Sequence, residues 1–167
     1  VDSDPEPTHM TSFDGLATDA LVRAAFCSEA NFSSWANSRG VEVEISRIMY
    51  PSPRLEADQR CGGIFHCGNR YFLQCIEGPR EDVQRLWQRN VDDVRHKRQQ
   101  LLVVEPVSER LFPENTMSYV SMRGVLIELF QRHGVREFDP YCLDAGMLHE
   151  FLDRYRERQQ QRQAARA

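Results

Sequence analysis

Gln74 is the residue most in need of a chemical reason: an uncharged amide in the middle of Arg70 to Ile76 (RYFLQCI), an otherwise largely apolar strand. A carboxamide there carries two donors and an acceptor, so it needs partners, and one left unsatisfied in the interior costs about 1–3 kcal/mol. Around it stand Cys61, His66, Cys67 and Cys75 on one hairpin, and Cys27 on an earlier strand. On a strand, Cys61 and Cys67 share a face and His66 takes the other, so this is not the loop-borne spacing of a zinc knuckle. The cysteines read as buried reduced thiols. Glu77 follows the strand and reads as a charge favouring the next helix's N-terminus. His96, near that helix's far end, reads as a partner for its C-terminal dipole. No serine or cysteine catalytic constellation, phosphate loop or paired-carboxylate site stands out.

The elements that must position these groups follow from period. Cys61 to Cys67 (CGGIFHC) and Arg70 to Ile76 flank Gly68-Asn69, read as a two-residue hairpin turn. Tyr71, Leu73 and Cys75 then face one side, and Phe72, Gln74 and Ile76 the other. Val83, Leu86, Trp87, Val91 and Val94 recur at helical spacing. Ala20 to Ser28 is apolar on both faces and reads as a central strand. Ser33-Ser34 caps a helix to about Met49, with Trp35, Val41, Ile45 and Ile48 inward. Pro51-Ser52-Pro53 ends it, and 51–59 reads as a loop. Gln99 to Val107 and Thr116 to Ser121 are strands. Arg123 to His133 is a short helix closed by Gly134, and Asp144 caps a last one with Met147, Leu148, Phe151, Leu152 and Tyr155 on one stripe. Asp92-Asp93 reads as a solvated face.

The result is an α+β chain, a ferredoxin-like β-α-β-β-α-β-β mixed sheet with two C-terminal helices. Those helices must cover the second sheet face or serve a partner. Residues 1–17 read as a disordered or expression-derived leader, with Met10 a candidate start. Residues 18–121 form the domain, 122–156 the two helices, and 157–167 an Arg/Gln-rich solvated tail.

With 167 residues, 41% hydrophobic, 28% charged and a net charge of −4, the chain suits one globular domain and argues against nucleic acid as main partner. No run approaches a membrane span. Five cysteines without a framework fit a reducing, cytoplasmic setting.

Leu21 to Ser28 (LVRAAFCS), Gly63 to Phe65, Tyr71 to Gly78 (YFLQCIEG), Val83 to His96 and Phe112 to Met117 (FPENTM) together resemble the BLUF domain, a family of flavin-based blue-light sensors. The resemblance covers roughly Leu21 to Tyr119. It implies a polar relay around a flavin: a first-strand tyrosine that gives an electron and a proton, a glutamine that bridges it to the ring, and an asparagine that fixes the ring's polar edge. Gln74 matches the glutamine and Met117 the fifth-strand methionine, and His96 falls where the family often has a basic residue. The tyrosine position is Phe26, the asparagine position falls on Glu56, and the tryptophan position two before Met117 is Asn115. Glu56 would turn an acceptor toward a carbonyl edge. The resemblance therefore implies a degenerate BLUF-like regulatory domain, without family photochemistry and with weak or no flavin binding. Its partner would be a protein or a second copy, met through the sheet face and C-terminal helices. The alternative is an FAD-binding photoreceptor with an altered pocket. Without flavin, Gln74 reads as a buried amide bonded to backbone or Glu56, and Phe26 and Met117 as core.

Overall fold

The computed structural model describes residues 11–32, 38–51 and 53–167, with the backbone alone for 38–42. The expected Ser33-Ser34 cap, Trp35 and the Val41 side chain lie outside the described residues, as does most of the leader.

Five strands form one mixed sheet in the order β4-β1-β3-β2-β5. β1 (Leu21–Ala30) is central and almost wholly buried, as two-sided apolarity requires. It runs antiparallel to both β3 (Tyr71–Pro79) and β4 (His96–Pro106). β2 (Gly62–Gly68) pairs antiparallel with β3 and parallel with β5 (Thr116–Tyr119). This is the expected α+β ferredoxin-like sheet.

The hairpin turn is displaced by one residue from the expected place. Gly68 pairs with Tyr71, so Asn69 and Arg70 make the turn, both at positive φ (50° and 69°). Two successive left-handed residues give the type I′ twist that suits a right-twisted hairpin. The glycine was a false cue.

α1 (Ser38–Met49) turns Ile48 and Met49 inward and stops before Pro51. The segment 51–59, expected as loop throughout, contains a short helix, α2 (Glu56–Arg60). Five residues do not hold a helix on propensity. Two bidentate pairs to α3 (Arg80–Asp92) hold this one: Arg60 to Asp82 at 2.7 Å twice, and Arg89 to Asp58 at 2.8 Å twice. The Asp58 carboxylate also accepts from the Leu55 N–H at 2.8 Å. Such partners lie 22 and 31 residues away and leave no local trace.

α3 buries Val83 and Leu86 as its spacing requires, but Val91 and Val94 do not join them. Asp93 is already extended, and its carboxylate takes the N–H of Arg95 at 3.0 Å in a local turn that ends the helix. Val94 is consequently 82% exposed. Asp93 is no solvated acid either, since Arg95 grips it at 2.7 Å.

Past β5, the expected helix from Arg123 is broken at its start. Arg123 is extended and Gly124 stands at φ 91°, ψ −124°, so the stretch Met122–Leu126 is kinked and α4 (Ile127–Arg132) follows it. The last helix, α5 (Ala145–Ala165), is capped by Asp144, whose Oδ1 accepts from the Met147 N–H at 2.8 Å. It continues helically through the Arg/Gln-rich end, which is solvated as read.

The core has two layers. Val22, Ala24, Phe26 and Ile76 meet Val83 and Leu86 of α3 on one sheet face. On the other, Ala25, Ile64, Leu73 and Cys75 meet Leu126, Phe130, Leu148 and Phe151 of the C-terminal helices. Each fully buried large side chain is worth about 1.5–3 kcal/mol. Among the described residues, helices of the chain itself pack on both sheet faces.

Across that second face runs a buried ionic row. Arg23 lies directly opposite Glu77 on β3 and Glu105 on β4. Its guanidinium donates to Glu77 Oε1 at 2.9 and 2.7 Å and to Glu105 Oε1 at 2.9 Å. Glu77 Oε2 accepts the N–H groups of Leu111 and Phe112 at 2.8 and 2.9 Å. Glu77 is fully buried, so its expected role as a helix N-terminal charge is replaced by that of a hub. His149 Nε2 of α5 meets Glu105 Oε2 at 2.5 Å.

Candidate functional site

A cleft of about 190 Å³ opens between α1, α3 and the sheet face they cover. Its apolar surface comes from Ile48, Met49, Ile76, Leu86 and Met117. Its polar groups include Gln74, Asn90, Asp93, His96, Asn115 and the Asp58–Arg89 pair. The structure thus brings together four of the six residues singled out in the sequence: Gln74, His96, Asn115 and Met117.

Gln74 sits in a cross-strand row with Phe26 of β1 on one side and Phe65 of β2 on the other. Among the described residues its Nε2 reaches the thioether of Met49, at 3.5 Å, a weak acceptor. The expected bond to Glu56 is absent, because Glu56 starts α2 with a side chain 81% exposed, 3.5 Å from Arg60. Glu56 lies outside the cleft wall, and Asp58, two residues further along α2 and on its opposite side, lines it instead. The anticipated clash of a Glu56 carboxylate with a ring carbonyl therefore does not arise.

Phe26 is 2% exposed and packs on Trp87 with ring centroids 5.2 Å apart. It forms core beneath the cleft, as its bland reading holds. Met117 stands opposite Gly63 in the parallel β2–β5 register, and Tyr50 donates from the rim to the Met117 carbonyl at 3.3 Å.

His96 is not at a helix end. It opens β4 opposite Ala30, is 4% exposed, and its Nδ1 lies 2.6 Å from Ser28 Oγ. Burial pushes the imidazole down to about 4, against the weaker pull of Asp93, so the ring is neutral at pH 7. Ser28, His96 and Asp93 do not make a nucleophilic triad. Ser28 is 1% exposed and off the cleft wall, while Asp93 lies 3.9 Å from His96 Nε2 and is committed to Arg95.

The four thiols of β1, β2, β3 and the β2 entry are held protonated by the same physics, while Cys142 is exposed. Burial pushes Cys27, Cys61 and Cys75 up to about 12 and Cys67 up to about 11. Among the described residues no group of three or more His, Cys, Asp or Glu could hold a metal ion, and no helix is long and apolar enough to cross a membrane.

Several residues of the wall were not singled out beforehand, among them Asp58, Arg89 and Asn90. The Asp58–Arg89 pair joins two elements across 31 residues and has no sequence signature. Asn90 had one: it follows Leu86 by four and Trp87 by three, on the helix face that Val83 and Leu86 bury. Its Oδ1 is buried and has no hydrogen-bond partner.

A flavin is the group that the resemblance implies here. The apolar slot and the Gln74 amide suit a planar ring. The hydroxyl that the relay needs is missing, because the cross-strand neighbour of Gln74 is a phenylalanine. The cleft is also smaller than the roughly 300–1,000 Å³ of ordinary ligand sites. The residues do not fit the family's light-driven arrangement.

Comparison with known proteins agrees with the architecture. A family model described as BLUF, sensors of blue-light using FAD, matches residues 21–118. BlsA in its photo-activated state is similar at 24% identity, covering 80% of this chain and 93% of that one, with a TM-score of 0.65. BlrB, a BLUF protein in its dark state, is similar at 25% identity over 70% of this chain and 86% of its own, with a TM-score of 0.55. No curated protein matches. With the sheet order, the cleft under α1 and α3, and a family match spanning more than half its length, this chain belongs to the BLUF family.

Proposed function

We propose that this chain is a BLUF-fold regulatory module that works by contact with another protein or a second copy of itself, without tyrosine-based photochemistry and with weak or no flavin binding. The carrying observation is the row Phe26–Gln74–Phe65. The amide that would relay a light signal has carbon rings on both sides, and neither ring can give up a proton. That contact runs through the sheet face and the C-terminal helices, a reading supported by the exposed outer side of α5. Nothing in the cleft supports an enzymatic reading, since its histidine is neutral and held by a buried hydroxyl.

One observation favours a second reading, an FAD-binding photoreceptor with an altered pocket. Gln74 is partly exposed to the cleft, and among the described residues its amide donates to nothing better than a thioether, which leaves it free to meet a bound ring. An absorption spectrum of the purified protein, before and after incubation with FAD and under blue light, separates the two. A colourless protein, or one with bound flavin whose spectrum ignores light, supports the first reading. A reversible light-induced red shift supports the second.

A further inference from the structure

We propose that the outer edge of β4 docks a second copy of this chain, the two β4 strands pairing antiparallel so that two five-stranded sheets become one. β4 is an end strand and pairs with β1 alone. The Val107 N–H donates to the Leu21 carbonyl at 3.0 Å, which makes those two a hydrogen-bonded pair. Alternation then makes Val22–Pro106 and Ala24–Val104 non-bonded pairs, and the Val104 N–H and C=O point away from β1. Pro106 agrees with this, because its missing N–H falls on the outer side. Among the described residues no hydrogen bond from outside the sheet reaches the backbone of Leu101 to Glu105. Such an edge is a pairing template, which proteins usually blunt with charge, proline or a bulge. Here charge and proline only bracket the strand. Arg98 stands at φ 53° with its carbonyl taken by the Tyr141 hydroxyl at 2.7 Å, and Pro106 closes the other end. Between them Gln99 to Val104 (QQLLVV) holds neither charge nor proline and ends in strand formers, with Leu101 and Leu102 half-buried. The register shifts against β1 add local twist but bring no group across the edge.

The occupant is a second copy because the strand matches its own reverse. β4 opens with Lys97 and Arg98 after His96, and Glu105 stands near its end. Antiparallel pairing sets the basic start of one copy beside the acidic end of the other, whereas parallel pairing sets like beside like. Each charge keeps its own partner, Glu29 for the two cations and Arg23 for Glu105, so the gain is in field and register and adds no new bridge. A two-fold contact of this kind is closed and stops at a dimer. The contact rests on the proposed function only for its second-copy arm, to which it gives a surface.

Sedimentation velocity of the full chain across the micromolar range, beside Gln100→Lys and Gln100→Val, tests the assignment. Gln100 is exposed, so neither change reaches the core, and circular dichroism checks that both variants fold. The wild type should form a reversible dimer. Gln100→Lys should weaken it about tenfold or more, by setting like charges near the middle of the new ladder. Gln100→Val, a better strand former, should hold it at least as tightly. Amide exchange adds a second readout: the Val104 amide should slow as concentration rises in the wild type and not in Gln100→Lys. A wild type that stays monomeric, assembly beyond a dimer, or a dimer that Gln100→Lys leaves intact, held instead by the C-terminal helices or a sheet face, overturns the assignment. A monomer leaves contact with another protein standing, and a light-induced red shift sinks the proposed function without touching the dimer, so the two fail separately.

Discussion

Glu77→Gln is the sharpest test of how this domain is held together. The carboxylate is wholly buried and faces donors alone: two guanidinium N–H groups of Arg23 on Oε1, and the backbone N–H groups of Leu111 and Phe112 on Oε2. A carboxylate is acceptor-only and satisfies all four. A carboxamide of the same shape must turn its NH₂ either toward the guanidinium or toward the two amides, so two donors lose their acceptor whichever way it flips. Arg23 keeps a counter-charge in Glu105 at 2.9 Å, which limits the purely ionic loss. Two buried donors without acceptors at about 1–3 kcal/mol each give roughly 3 kcal/mol, and at about 2–4 °C per kcal/mol for a domain of this size the Tm should fall by about 6–12 °C. Glu105→Gln should cost less, because its second oxygen meets only His149. Thermal unfolding by circular dichroism measures both. A fall under about 2 °C for Glu77→Gln, or a larger one for Glu105→Gln, would refute the hub. Because Glu77 anchors 111–112, the stretch that leads into Asn115 to Met117, the same change should speed amide exchange along that cleft wall.

Two further outcomes follow from burial. His96 is depressed to about 4 when folded against about 6.5 when unfolded, so between these values the unfolded chain binds more protons and stability falls as pH falls. Urea midpoints at pH 7 and 4.5 should show a loss of about 2–3 kcal/mol, much of it absent in His96→Gln, which keeps a partner for Ser28; equal losses in both proteins would contradict this. Phe151→Ala on α5 should cost about 3–5 kcal/mol in unfolding free energy, whereas ending the chain after Tyr155 should cost under about 1 kcal/mol, because the residues removed are mostly exposed.

Periodicity made the two-sided central strand, the Phe72–Gln74–Ile76 face and the α5 stripe legible, because each rests on neighbours in sequence. The same logic failed where partners were remote. α2 exists because Arg89 and Asp82 of α3 pin it, and Glu77 is a hub because Arg23 lies opposite across the sheet. Val94 carried the right spacing, but Asp93 ended the helix first by binding its own neighbour. At the cleft, the motif carried Gln74 and Met117 to their places, and the loss at Phe26 was visible as a residue type. Glu56 was misplaced because a gapless count cannot see that the short helix turns it outward. Asn90 was hidden by its company, one amide among apolar neighbours on a face read only for its hydrophobes.

Light-minus-dark absorption of the flavin-incubated protein, run beside Phe26→Tyr, addresses the central claim most directly. The wild-type chain should give a flat difference spectrum, and the phenol restored next to Gln74 should raise any light response that bound flavin can support. A reversible shift to longer wavelength in the wild type, with Phe26 in place, would mean that the cleft signals light through a route without that hydroxyl, and the account would fail.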